Sequence, residues 1–349
     1  KVVDRRGEAV TLRHLGNLHY ERGDHAGARR HWEASLSLCR ELSENAGLSS
    51  CLNNLGYLHF EQAHYASAER LFREALETTA AIGAKSQLLI LHMNLAELAL
   101  SLDQLARTEA ELGQAESLAR EIDATPMLAV AHSIRARIAA ERGDITTARA
   151  ESRAALELVE PTGHVENLVR AEMAAAEVEL AAGAFPEARR HARQASDTAR
   201  WARMAHFELS AAFLAALAAW RNGNGEEAAH ELVQLEPRAE EGGFLALAAR
   251  AHDLLGQIRD GANDAAGAAE EYVRAGEHMK EIIGSLSEED RRSFVHHPEW
   301  KAVIGNLFDT LMRLGRREEA LGYLVPLGVG VCDVDPGRSR PGSPHAPSR

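Results

Sequence analysis

Residues 54–76, NLGYLHFEQAHYASAERLFREAL, decide the fold, because variants of this stretch recur along the chain at a fixed spacing. The chain reads HLGNLHYERGDHAGARRHWEASL from His14 and NLAELALSLDQLARTEAELGQAE from Asn94, which lie 40 residues before and after Asn54. Further copies begin at the same spacing at Ile134, Ala174, Leu214 and Leu254. Seven copies without a slip predict a repeat array, in which each unit buries its apolar face against its neighbours.

The positions that recur indicate that each unit is a helix, a short turn and a second helix. A small residue stands in the first half of every copy, as Gly56 does, and another follows twelve residues later in most copies, as Ala68 does. Between them we expect a turn, because glycine and asparagine tolerate the positive φ that ends a helix. Five copies have such a residue, at Gly23, Gly143, Gly183, Gly223 and Asn263. Ala63 and Asp103 occupy this position in the other two copies and are exceptions to the pattern.

An aromatic residue follows the first small residue by 16 positions in three copies, as Trp32, Phe72 and Tyr272. We expect the small residue, such as Gly56, to let the paired helix approach, and the ring to fill the space between the two helices. This packing would offset the helix-propensity cost of glycine, which is about 1 kcal/mol relative to alanine.

The pattern resembles the tetratricopeptide repeat family, which repeats Leu-Gly followed by Tyr, Ala, Phe and Ala at set intervals. The Leu-Gly pair is matched at residues 15–16, 55–56 and 255–256, whereas His19 and His59 stand where the family has Tyr. The unit is 40 residues long instead of 34, as in the long-repeat members found in bacterial multidomain signalling and regulatory proteins. The resemblance implies an all-α fold, a right-handed α-solenoid of about seven to eight stacked antiparallel helix pairs.

The sequence predicts three segments. Residues 1–284 hold the seven repeats, residues 285–326 an inserted helix plus a divergent, capping eighth helix pair, and residues 327–349 a disordered tail rich in Gly, Pro, Ser and Arg. Ser287, followed by three acidic residues, is typical of the N-cap of the inserted helix. Residues 286–300, LSEEDRRSFVHHPEW, resemble a segment at the C-terminal end of repeat arrays that follow a kinase, cyclase or ATPase module in large bacterial signalling proteins. Because the chain also begins with Lys, we expect it to be part of a longer protein.

Composition and motifs argue against several classes of function. A net charge of -13 disfavours nucleic-acid binding, and the absence of a stretch of about 18 apolar residues predicts no membrane span. Three cysteines without metal-binding spacing indicate reduced thiols in a cytoplasmic protein. Phosphate-loop, HExxH, CxxC and GxSxG motifs are absent, and the adjacent pair His296-His297 has no Cys nearby and is followed by Pro298. We therefore expect no enzyme, no cofactor and no metal site.

The first helices of such an array line its concave surface, because each pair is rotated slightly relative to the previous one. Counted from the small residue, the inward positions follow the helical spacing i, i+3, i+4, i+7. They give a predicted partner-binding surface that consists of Arg13, Asn17, Glu21, Asn53, Asn54, Tyr57, Asn94, Glu97, Arg137, Arg170, Glu177, Phe213 and Trp220. Tyr20, Phe60 and Glu61 fall on the same face.

Asparagines dominate the N-terminal part of this predicted surface. In the resembled family, Asn at such positions hydrogen-bonds the backbone of a bound peptide, and Asn17, Asn54 and Asn94 match those positions. The register puts Asn53 on the inner wall and Asn54 at its edge. The alternative interpretation is that these side chains satisfy a neighbouring backbone group or face water.

The favoured function is a protein–protein interaction scaffold that binds a peptide or protein in its concave groove. It would form the regulatory or sensor part of a larger bacterial signalling protein, such as a kinase, cyclase, ATPase or transcription regulator. Phe213 and Trp220 would then form an apolar anchor pocket, unless they pack on a neighbouring repeat. The alternatives are a self-associating structural module or homo-oligomer, a groove filled by the chain's own tail with Arg338, Arg340 and Arg349, and a small-molecule sensor domain.

Overall fold

A computed structural model describes residues 4–327, and this part of the chain consists of seventeen α-helices joined by short turns, with no β-strand. The helices pack into two compact units, one ending at Leu214 and the other beginning at Ala215. In the first unit the helices are α1 (Arg5–Glu21), α2 (His25–Leu42), α3 (Asn45–Glu61), α4 (Tyr65–Ile82), α5 (Lys85–Ser101), α6 (Leu105–Glu121), α7 (Thr125–Glu141), α8 (Ile145–Val159), α9 (Val165–Ala181) and α10 (Phe185–Trp201). The boundary falls within α11 (Ala205–Arg221). The second unit continues with α12 (Gly225–Glu241), α13 (Leu245–Gly261), α14 (Ala265–Gly284), α15 (Glu288–His296), α16 (Pro298–Arg313) and α17 (Arg317–Leu327).

The helix starts reproduce the sequence period. The first helix of each of the seven pairs begins 40 residues after the previous one, from Arg5 to Leu245. The second helices keep the same interval, from His25 to Ala265. The all-α fold of antiparallel helix pairs is therefore confirmed, and its period is that of the sequence repeat.

The turns between helices place one residue in the left-handed region of the backbone map. Gly23 and Gly143 have φ of 77° and 76°, as the turn pattern predicts. Ala63 and Asp103, the two exceptions in sequence, adopt the same conformation, with φ of 59° and 57°. The neighbouring helices therefore impose this turn even where the residue is not glycine, at a local cost of about 1–2 kcal/mol for a side chain with Cβ.

The contact between the small residue and the aromatic ring is confirmed. A Cβ atom on Gly56 would lie 2.7 Å from both Cδ1 and Cε1 of Phe72, which is fully buried. Gly256 meets the ring of Tyr272 in the same way, with a Cβ position 2.5 Å from Cε1. Any larger residue at these positions would have to push the helix pair apart.

Three helices follow the seventh pair. Ser287 caps α15 as predicted, since its Oγ accepts a hydrogen bond from the Asp290 amide at 3.1 Å. Phe294 of α15 and Trp300 of α16 are buried and stacked, with ring centroids 4.9 Å apart. Helices α16 and α17 pack together and against α14. These helices stand where the sequence predicts an inserted helix and an eighth pair, whereas almost all of the predicted tail, residues 328–349, lies outside the described residues.

Within residues 4–327, none of the helices combines the length and the apolar character that crossing a bilayer requires.

Candidate ligand-binding site

A cavity of about 400 Å³ lies in the first unit. One wall comes from α1, α3 and α5, the first helices of three successive repeats. The facing wall comes from α9, from the turn at residues 202–204 and from the start of α11. Of the predicted surface, the structure brings seven residues to this cavity: Asn17, Glu21, Asn53, Asn54, Tyr57, Asn94 and Arg170.

The four asparagines form two pairs between neighbouring first helices. Asn54 Nδ2 donates to Asn17 Oδ1 at 3.0 Å, and Asn94 Nδ2 donates to Asn53 Oδ1 at 2.9 Å. Asn17 Oδ1 also accepts a hydrogen bond from Trp32 Nε1 at 2.9 Å. Asn53 and Asn54 thus both line the cavity, and each belongs to one of the two pairs. Among the described residues, no group donates to Oδ1 of Asn54 or Asn94, so each keeps an acceptor for a ligand.

Arg170 holds the two walls of the cavity together. Its guanidinium group donates to the hydroxyl of Tyr57 at 2.8 Å and forms an ion pair with Glu97, so that α9 is tied to α3 and α5. Glu166, one helical turn earlier on α9, accepts from the same group at 2.9 Å. The guanidinium carbon also lies 4.8 Å from the centroid of the Phe207 ring. Arg170 is therefore already neutralised by protein groups and fixes the shape of the cavity.

Glu61, at the end of α3, is the most unusual group in the cavity wall. Its side chain is only 1% exposed, and Oε1 accepts a hydrogen bond from the hydroxyl of Tyr20 at 2.7 Å. The second oxygen, Oε2, is buried and has no hydrogen-bond partner among the described residues. A buried carboxyl oxygen without a protein partner is costly for the folded state, which makes Glu61 a candidate contact for a ligand group.

Burial shifts the titration of the groups around Glu61. It raises the pKa of Glu61 to about 8, although the hydrogen bond from Tyr20 and the charge of Arg170 act in the opposite direction. His206, whose Nδ1 lies 3.7 Å from Glu61 Oε1, has its pKa lowered to about 3 by burial and by the charges of Arg170 and His25. At neutral pH this part of the cavity therefore holds a protonated carboxyl and a neutral imidazole.

The remaining residues of the predicted surface lie elsewhere. Arg13 lines a separate cavity of about 380 Å³ beside α2 and α3, and Glu97 meets the ligand cavity only through Arg170. The other four predicted residues, Arg137, Glu177, Phe213 and Trp220, form contacts within the protein or lie in the second unit. Arg137 pairs with Glu177 at 2.7 Å across two first helices, Phe213 is buried, and half-buried Trp220 stacks under the guanidinium of Arg221 at 4.9 Å.

The sequence pattern did not reveal the second wall of the cavity or a set of histidine–glutamate pairs. Histidine on a first helix meets glutamate 19 residues later on the second helix, as in His92–Glu111 at 2.7 Å and His132–Glu151 at 2.6 Å. His252–Glu271 repeats the contact at 2.7 Å in the seventh pair. The spacing of 19 is the signal that could have identified these pairs in the sequence.

Comparison with known proteins supports the repeat fold. Residues 7–81 match the family model described as tetratricopeptide repeat. No curated protein sequence matches the chain. The fold is similar to that of a Rap protein complexed with competence and sporulation factor, with a TM-score of 0.54 and 15% identity over 80% of this chain and 77% of that chain.

A second solved structure, from Pyrococcus horikoshii, is a signal transduction ATPase with numerous domains that has a tetratricopeptide repeat sensor. Its TM-score is 0.51 at 12% identity, over 91% of this chain but only 50% of that chain. The present chain therefore spans half the length of that ATPase. The resemblance to tetratricopeptide repeat proteins is confirmed by the family match and by these folds, whereas the low identities carry no information beyond the fold.

Proposed function

We propose that the first unit binds a short peptide segment with a basic group, a lysine or arginine side chain or a free amino terminus, in the cavity beside Glu61. The observation that carries this proposal is the buried Oε2 of Glu61, which has no partner in the wall of a cavity of about 400 Å³. An ammonium or guanidinium group would supply the missing hydrogen bond and would pair with the carboxylate.

The size and lining of the cavity suit a short segment of extended chain. Its volume falls in the range of about 300–1,000 Å³ that is typical of small-ligand sites. The acceptors of Asn54 and Asn94 stand on successive repeats, where they can receive backbone N–H groups of a peptide. Glu21 and Glu166 add negative charge to the walls, which favours a basic ligand.

Binding of a basic group would be coupled to proton release. A cation favours the ionised form of Glu61, whereas the free protein holds this carboxyl protonated up to a pKa of about 8. The groups that face Glu61 are Tyr20, His206, Arg170 and Glu166. Neither of the two basic groups among them gives the Glu61 carboxylate a close positive partner, since Arg170 is paired with Glu97 and His206 is neutral. Affinity for the basic ligand should therefore rise with pH, by up to about tenfold per unit below pH 8.

At the level of the whole protein, we propose a non-enzymatic sensor arm of a larger bacterial cytoplasmic regulator. The two similar folds support this proposal, since one is a Rap protein complexed with competence and sporulation factor and the other is a signal transduction ATPase with a tetratricopeptide repeat sensor. Occupation of the cavity would be reported through Arg170, because this residue connects the ligand-lining wall of α3 and α5 to α9.

A small-molecule amine is the second candidate, and the confined volume of the cavity favours it. The backbone acceptors offered by Asn54 and Asn94 distinguish the two candidates, because a simple amine would engage Glu61 alone. An N54A/N94A double variant should weaken peptide binding and leave the binding of a small amine unchanged.

The proposal is tested with an array of synthetic peptides of equal length that carry basic, neutral or acidic residues. The wild-type chain should retain basic peptides, and Glu61→Gln, which keeps the acceptor for Tyr20, should bind them at least tenfold more weakly at pH 8. Glu77→Gln is the matched control, because Glu77 is an exposed carboxylate on α4 outside the cavity. Equal binding of basic peptides by wild type and Glu61→Gln, or equal retention of basic and acidic peptides, would overturn the proposal.

A further inference from the structure

The second unit contains a cluster of histidine and glutamate side chains around the buried residue His252. Ligand atoms of Glu240, His252 and His278 all lie within 4.8 Å of one another. His252 is fully buried on α13, His278 is partly buried on α14, and Glu240 is exposed on α12. Three consecutive helices thus each contribute one side chain of a type that binds metal ions.

The distances in the cluster are those of metal ligands and are long for hydrogen bonds. Glu240 Oε1 lies 3.4 Å from His252 Nε2 and 3.4 Å from His278 Nε2, beyond the usual range of about 2.7–3.2 Å for a nitrogen–oxygen hydrogen bond. Two ligands held about 2.0–2.2 Å from a tetrahedral zinc ion are separated by about 3.3–3.5 Å. The Glu240 oxygen therefore lies at a coordination-shell distance from each of the two nitrogens, and all three atoms lie within 4.8 Å of one another.

The opposite nitrogen of His252 has the partner that a metal-binding histidine usually has. Nδ1 lies 2.7 Å from Glu271 Oε2, and Arg259 holds the other oxygen of Glu271 at 2.9 Å. A carboxylate on one ring nitrogen orients the imidazole, so that Nε2 presents its lone pair to the metal.

Comparison among the repeats shows which contacts of His252 recur along the chain and which occur only at this residue. His92 and His132 make the same 19-residue pairs with Glu111 and Glu151, so the Nδ1 contact of His252 belongs to the repeat. Among residues 4–327, clusters of three potential ligands occur only around His252. The residues added in the seventh pair and its neighbour are therefore the ones that create the site.

We propose that His252, His278 and Glu240 bind one zinc ion, which links α12, α13 and α14. Two imidazoles and a carboxylate are a donor set that zinc accepts in proteins. Glu236 Oε1, 3.5 Å from His252 Nε2, or a water molecule completes the tetrahedron. Because Arg274 already holds this oxygen at 3.1 Å, Glu236 is the weaker choice for the fourth position. The role is structural, since the ion joins the second helix of one repeat to both helices of the next.

The competing arrangement is a metal-free network in which Glu271, Glu240 and Glu236 surround His252. The two arrangements differ in what they require of His278. A zinc ion needs its Nε2, whereas the metal-free network around His252 needs only the carboxylates.

The test uses the full chain, stripped with a chelator and titrated with Zn²⁺ against a chromophoric competitor. Wild type should bind one zinc ion more per chain than His278→Ala or Glu240→Gln, and zinc should raise the Tm of wild type by several degrees but leave the Tm of these two variants unchanged. Glu240→Gln keeps the experiment decisive if His278→Ala does not fold, since Glu240 is exposed. His132→Ala is the matched control, because it removes a paired histidine that has no third ligand nearby.

Zinc stoichiometry, affinity and Tm shift should be unchanged in His132→Ala. If His278→Ala and Glu240→Gln bind zinc with the wild-type stoichiometry and affinity, or if wild type binds none, the site does not exist and the metal-free network stands.

Discussion

Replacement of Gly56 by alanine tests the packing that defines the repeat. The added methyl group would lie 2.7 Å from two carbons of the Phe72 ring, whereas ordinary contacts are 3.4–4 Å. Phe72 is fully buried, so the ring or the helix pair must move by roughly 0.7 Å. Overpacking of this kind costs about 1–3 kcal/mol, and the better helix propensity of alanine returns about 0.5–1 kcal/mol. We expect the free energy of unfolding to fall by about 1–2 kcal/mol.

Gly113 provides the matched control for this substitution. It also lies inside a helix, α6, but a Cβ atom there would meet nothing within 4 Å. Gly113→Ala should therefore gain about 0.5–1 kcal/mol from helix propensity alone. The two variants should move the midpoint of urea unfolding, followed by far-UV circular dichroism, in opposite directions.

A double-mutant cycle with Phe72→Leu assigns the loss to the ring. A smaller side chain at this position removes the clash, so Gly56→Ala should cost much less in the Phe72→Leu background, with a coupling energy of about 1 kcal/mol or more. If Gly56→Ala stabilises the protein as much as Gly113→Ala does, the close approach of the two helices is not what selects glycine at this position.

Three further outcomes follow from the first unit. Ala63→Gly should raise the free energy of unfolding by about 1 kcal/mol, because Ala63 is held at a φ of 59°; an unchanged urea midpoint would contradict the strain. Removing Asn54 and Asn94 together as alanines deletes two hydrogen bonds between first helices and should cost about 1–3 kcal/mol in the same assay. Burial raises the pKa of Glu61 from about 4.3 in the unfolded chain to about 8 in the folded protein, so the folded state keeps a proton that the unfolded state loses. The free energy of unfolding should therefore fall between pH 5 and 8, by up to about 1.4 kcal/mol per pH unit. Glu61→Gln should lack this part of the pH dependence, and parallel curves for the two proteins would refute the shift.

The fold could be predicted from the sequence because its signal is local and repeated. A small residue, a turn residue and an aromatic residue recur at constant intervals, and each interval corresponds to one contact within a helix pair, as between Gly56 and Phe72. Even the turns at Ala63 and Asp103, which depart from the pattern, follow the geometry of the other copies. The repeat period therefore predicts the backbone conformation of a turn even where the residue in that turn does not.

The cavity could be predicted only in part, because its two walls are distant in sequence. Positions on one wall follow from helical spacing, which placed Asn17, Asn54 and Asn94 there. Arg170 was on the predicted surface, but its contact with Tyr57 joins residues 113 positions apart. That contact depends on the small rotation from each repeat to the next, which accumulates over several repeats and which a single sequence does not specify.

Contacts between neighbouring repeats show how function can arise on a uniform scaffold. A separation of 41 residues, one period plus one, joins Tyr20 to Glu61 and Asn53 to Asn94, so both contacts have the same offset between successive first helices. In one case the pair joins two amide side chains, and in the other it leaves Oε2 of a buried carboxyl without a partner. The repeat determines where the two side chains meet, and a polar atom that this contact leaves without a partner is available to bind a ligand.

The cluster at His252 likewise adds new side chains to a contact that recurs, here the histidine–glutamate pair with a spacing of 19 residues. The 19-residue pair with Glu271 is present in several repeats and orients the imidazole in each of them. His278 and Glu240 bring two further ligand atoms to the Nε2 side of the ring, where Glu236 also lies. Sites in such an array are therefore found by subtracting the contacts that recur, because what remains, the buried oxygen of Glu61 and the third ligand of His252, is not required by the packing of the repeat.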